Sequence, residues 1–147
     1  MYKRVLVPLD GSELAERALK HAVDLAAAFG ATLELVRVVP VAPLEVARGG
    51  AMTDLEAEVA EAREYLEGLR QRLADSGLQV LSTVRQGDVA EELIQHAQTS
   101  QCDLIVMSTH GRSGLARWVY GSIADRVLRY GLQTVPAILV VSSALDQ

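Results

Sequence analysis

Lysine is almost missing from this chain: Lys3 and Lys20 are the only two in 147 residues. The 14 Lys and Arg residues are outnumbered by 19 Asp and Glu, and the arginines are scattered. A net charge of −5 without a cationic cluster argues against non-specific binding to nucleic acid or to an anionic membrane, both of which need concentrated positive charge. Cysteine is scarcer still. Cys102 is the only one, so no intrachain disulfide forms, and its place just before an apolar stretch reads as a small buried hydrophobe in a reducing compartment. Long apolar runs are lacking too. The opening stretch Val5-Leu6-Val7 ends at Pro8, far too early for a signal peptide or a membrane span, so a cytoplasmic location with no membrane partner is expected. Half the residues are nevertheless apolar, enough for one domain over residues 1–147 to sustain its own core.

The apolar residues fall into two alternating kinds of pattern. Val5–Val7, Leu33–Val39, Leu78–Val84, Asp103–Met107 and Val135–Val141 are short, nearly continuous runs rich in β-branched residues, the mark of strands buried on both faces. Between them lie helical stripes. Ser12 caps the first, which carries Ala15, Ala18, Leu19, Ala22, Leu25, Ala26 and Phe29 and stops at Gly30. Thr53-Asp54-Leu55-Glu56 has the form of a capping box opening the second, with Leu55, Val59, Ala62, Leu66, Leu69 and Leu73. Asp88 and Glu91 cap a third, and Gly121–Tyr130 makes a fourth. The order β-α-β-α-β-α-β-α-β implies a Rossmann-like α/β fold with a single doubly wound five-stranded parallel sheet and helices on both faces. Two strand orders satisfy that pattern, and both bind ligands at the carboxyl edge where the order reverses.

One stretch carries chemistry at that edge. The run Leu104-Ile105-Val106-Met107 empties into Ser108-Thr109-His110-Gly111, and Gly121-Ser122 follows after nine intervening residues, at the start of the fourth helix. Glycine lets backbone amides approach a ligand, and the first amides of a helix have no internal partners, so this is an anion cradle with phosphate as the expected guest. No Lys-(Ser/Thr) follows the glycines and no Gly-x-Gly-x-x-Gly occurs, which excludes a Walker A loop and a dinucleotide fingerprint. His21 and His96 show no metal-ligand spacing.

These residues resemble the universal stress protein family over the whole chain, from Val5-Leu6-Val7-Pro8-Leu9-Asp10-Gly11-Ser12 to Val135-Pro136-Ala137-Ile138-Leu139-Val140-Val141. The nucleotide-binding members carry Gly-x2-Gly-x9-Gly-(Ser/Thr); positions 108, 111, 121 and 122 here read Ser, Gly, Gly, Ser. An Asp after the first strand matches Asp10, and an apolar residue that touches adenine in the second strand matches Val38. The resemblance implies the strand order 3-2-1-4-5 and an ATP site formed by Pro8, Asp10, Val38, Met107, Ser108, His110, Gly111, Gly121, Ser122 and Ile123, with Asp10 also meeting a Mg²⁺ water. It implies a homodimer paired through the fifth strand, whose two faces are apolar and which lacks the charges or bulges that protect an edge.

Ser108 departs from the family pattern. A left-handed backbone there would cost about 1–3 kcal/mol for a serine, whereas a demand for a small side chain admits it freely. The implied function is a nucleotide-dependent stress-response binding module. A slow ATPase, a self-phosphorylating enzyme and a nucleotide-free dimeric scaffold are the alternatives. Turnover would need a positioned base, and around the loop the sequence offers only His110, with no paired carboxylates. Arg112 and Arg117 lie near the loop, while Trp118 and Tyr120 suit packing against its base.

Overall fold

Alternation along the strands decides which helix covers which face. The computed structural model describes residues 1–41, 51–109 and 122–142, the side chains of 51–53 excepted. Its strands are β1 (Arg4–Pro8), β2 (Thr32–Pro40), β3 (Val80–Gly87), β4 (Leu104–Ser108) and β5 (Ile138–Val141). They form one parallel sheet in the order β3-β2-β1-β4-β5, so β4 rather than β3 lies beside β1.

Successive residues of the central strands enter opposite cores. Val5, Val7, Leu33, Leu35, Leu104 and Val106 pack against α1 (Glu13–Phe29) and α2 (Ala51–Ala74). Leu6, Val36, Ile105 and Met107 pack against α3 (Val89–Thr99) and α4 (Ser122–Gly131). The helix ends follow the local chemistry. Ser12 Oγ accepts the Ala15 amide at 3.2 Å, and Gly30 closes α1 in the left-handed region at φ 66°. Asp88 accepts the Glu91 amide at 3.0 Å and caps α3.

Most boundaries move by a residue or two from the sequence reading, and three differences have a clear local cause or consequence. α2 is already helical at Ala51, which puts Thr53 inside its first turn rather than at a cap. β3 runs on to Gly87 because β2 offers it a ladder as far as Pro40. β5 starts at Ile138, later than expected: the Val135 amide bonds back to Gly131 at 2.8 Å, and Pro136 has no amide to give.

A buried polar cluster sits within the apolar β2. Glu34 is 4 % exposed and faces α3. Cys102 Sγ donates to its Oε2 at 3.0 Å, His96 Nε2 lies 3.4 Å from its Oε1, and Arg4 Nη1 is 3.9 Å away. Cys102 is thus buried, but as a hydrogen-bond donor and not as a plain hydrophobe. Burial and the Glu34 carboxylate push its thiol up to about 12, which leaves it protonated and inert. Burial raises the Glu34 carboxyl, but the hydrogen bonds from His96 and Cys102, aided by Arg4, outweigh it and hold the group below its ordinary value. A folded value below the unfolded one contributes stability above the ordinary carboxylate range, and that stability is lost as pH falls through the folded value. Glu34→Gln is expected to cost about 1–3 kcal/mol at neutral pH. In urea unfolding, the gap to the parent protein should close as the pH drops below about 4.5; a gap independent of pH would contradict this.

Candidate functional site

The carboxyl ends of β1, β2 and β4 and the start of α4 enclose a cleft of about 600 Å³. This is where the strand order reverses, the place such sheets offer a ligand. β1 enters it at Pro8, and the next amide, from Leu9, bonds to Val36 O at 2.8 Å, binding the first turn to β2. Asp10 Oδ1 then accepts the Ser12 amide at 2.9 Å, while Gly11 takes the positive φ of 87° that the turn into α1 requires. The Asp10 carboxylate is therefore fixed at the cleft's edge by a side-chain turn, with Ser12 acting as the cap.

The walls differ in character. Val36 and Val38 on β2 and Val89 and Leu93 on α3 line an apolar slot; positions 89 and 93 share one helical face. Opposite them stand Met107, Ser108 and Thr109 at the end of β4, with Ser122, Ile123 and Ala124 in the first turn of α4. Ser108 pairs with Val141 as the last residue of β4, and the only non-glycine residue at positive φ among the described residues is Gln101. Its backbone is ordinary strand, so serine carries no conformational penalty there.

α3 and α4 are tied at the cleft. Arg126 grips Asp88 with both arms, Nη1 to Oδ1 at 3.1 Å and Nη2 to Oδ2 at 3.0 Å, and so holds the α3 cap against the second turn of α4. That guanidinium, with the Glu91 amide, keeps Asp88 below its usual range. Charge at the cleft is mostly negative. Asp10, Glu58 and Glu61 line it, and Arg37 is the one cation among the described lining residues.

Of the residues singled out from sequence, Pro8, Asp10, Val38, Met107, Ser108, Ser122 and Ile123 meet around this cleft. His110, Gly111 and Gly121 lie outside the described residues, as do Arg112, Arg117, Trp118 and Tyr120. Among the lining side chains that escaped the sequence reading are Val36, Arg37, Glu58, Glu61, Val89 and Leu93. A charge set between Val36 and Val38 in a largely apolar strand was a usable signal for Arg37. No sequence signal separates the cleft-facing Val89 and Leu93 from other core positions.

Fold and cleft together define a doubly wound α/β protein with a ligand-sized site at its switch point. The family model for the universal stress protein family matches residues 1–135. Universal stress protein MJ0531 of Methanocaldococcus jannaschii is 32% identical over 131 residues, covering 88% of this chain and 77% of that protein. The solved structure of MJ0577, from the same organism, superposes with a TM-score of 0.86 at 27% identity, over 97% of this chain and 96% of that one. A family member from Burkholderia pseudomallei, 31% identical, superposes with a TM-score of 0.73 over 95% of this chain and 96% of that one. The chain belongs to the universal stress protein family. Among the described residues, no helix is long and apolar enough to cross a membrane.

Proposed function

We propose that this protein is a one-domain, ATP-binding member of its family, a nucleotide-dependent stress-response module that binds rather than turns over its ligand. The convergence of Asp10, Val38, Ser108 and Ser122 on one cleft carries this reading. About 600 Å³ with an apolar slot and a polar end is the size and character of a small-molecule site. The slot of Val36, Val38, Val89 and Leu93, flanked by Pro8 and Met107, suits a base. Asp10 suits a ribose hydroxyl. Ser108, His110, Gly111, Gly121, Ser122 and Ile123 would surround the phosphates, at a helix start that favours anions. Among the described residues no group of three ligands could hold a metal by itself. Mg²⁺ would then arrive with the nucleotide, sharing phosphate oxygens and one carboxylate, Asp10, through water. Bound Mg-ATP supplies charge neutralisation at the phosphates; the chain supplies amides and shape. The ordinary strand backbone at Ser108 supports the nucleotide-binding reading over a nucleotide-free scaffold.

The same reading includes a cytoplasmic homodimer joined through β5. This strand is an edge of the sheet, and Leu139 is 38 % exposed on it, with half-buried Ile138, Val140 and Val141 beside it. An unprotected apolar edge invites a second copy about a two-fold axis. Native mass spectrometry of the purified protein tests nucleotide and subunit number together. A dimer carrying ATP mass is expected, with Leu139→Lys shifting it to monomer. A bare monomer that takes up no added Mg-ATP would overturn both parts.

A further inference from the structure

Arg37 enters the cleft from the face of the sheet covered by α1 and α2, beside the turn that carries Asp10. Its guanidinium carbon lies 5.2 Å from the centroid of the Tyr65 ring on α2. A Cβ at Gly11 would stand 3.5 Å from its Nη1, so the guanidinium occupies the space left free over that turn. Burial and then the neighbouring Glu16 carboxylate push the Tyr65 phenol up to about 12, so the ring stays neutral and offers the cation an aromatic face.

Several other arginines spend their charge on carboxylates, Arg4 on Glu34, Arg70 on Glu67, Arg85 on Glu92 and Arg126 on Asp88 among them. Arg37 is half-buried and has no carboxylate within ion-pair distance among the described residues, so the donors of its rigid fork are unspent. A carboxylate at a nucleotide's ribose selects free hydroxyls, and an arginine nearby accommodates a phosphate in their place. Asp10 and Arg37 stand together on this side of the cleft.

Building on the nucleotide reading above, we propose that Arg37 selects nucleotides whose ribose carries a phosphate at the 2′ or 3′ position. The surrounding carboxylates do not cancel it. Glu58 and Glu61 are exposed and screened by water and salt, and Asp10, fixed by the Ser12 amide, is left to the ribose hydroxyl that carries no phosphate. A half-buried guanidinium, fixed by Tyr65, meets a phosphate with two parallel hydrogen bonds and little ordering cost.

The test titrates adenosine 5′-monophosphate, adenosine 2′,5′-bisphosphate and adenosine 3′,5′-bisphosphate against the full chain and against Arg37→Gln and Arg37→Lys, each checked for a native melt. The parent should bind one bisphosphate about tenfold more tightly than the monophosphate, the effect of one charge-assisted pair. The ratio should fall close to one in Arg37→Gln and lie between in Arg37→Lys, which keeps the charge and loses the fork. Equal binding of all three by the parent overturns the inference, as does a preference undiminished in Arg37→Gln, or in Arg37→Lys should the Gln variant not fold. If neither these ligands nor Mg-ATP bind the parent, the nucleotide reading itself fails, an outcome distinct from monophosphate binding without preference.

Discussion

Gly121→Val should abolish Mg-ATP binding while leaving the fold in place. Gly121 immediately precedes Ser122, the first residue of α4, and Ser122, Ile123 and Ala124 already line the cleft. A branched side chain at this mouth would occupy the space a phosphate needs next to the free amides of the first turn. The buried face of α4, Ala124 and Val127, is untouched by a substitution ahead of Ser122. The expected loss is at least about a hundredfold in affinity, or roughly 2.8 kcal/mol, with circular dichroism unchanged. Unchanged affinity in a native variant would show that the phosphates do not lie at this helix.

Leu6→Ala is expected to have the largest effect on stability. Leu6 is fully buried in β1, the middle strand, between Glu34 of β2 and Ile105 of β4, and it faces α3 and α4. Neither neighbouring strand can close the gap without breaking its ladder, so truncation leaves a cavity at a cost of about 2–5 kcal/mol. For a chain of this length that is a fall of roughly 5–15 °C in melting temperature. A shift under about 2 °C would mean the site collapses around the smaller side chain, contrary to a rigidly packed sheet.

What the sequence disclosed and what it hid have physical reasons. The five apolar runs and the stripes between them are local patterns, so element order was legible without a structure. Strand order was not, because β-α-β spacing is the same whichever side of β1 receives β4; only the family resemblance pointed to 3-2-1-4-5. Asp10, Ser108 and Ser122 were legible because they sit where strands end and a helix begins, positions marked by glycine and capping residues. Val89 and Leu93 read as core, since a ligand slot and a core present the same apolar face. The Asp88–Arg126 clamp and the Glu34–His96–Cys102 cluster join residues far apart in sequence, and no local pattern announces such pairs. Glu34 in an apolar strand and Arg37 three positions on were visible anomalies. One marks a buried hydrogen-bond network, the other the cleft wall.

Titration calorimetry with Mg-ATP tests the central claim most directly. A backbone cradle with one metal and an apolar slot should bind in the micromolar range, about −8 kcal/mol, with one nucleotide per chain. No heat, and no rise in melting temperature at millimolar Mg-ATP, would contradict the account.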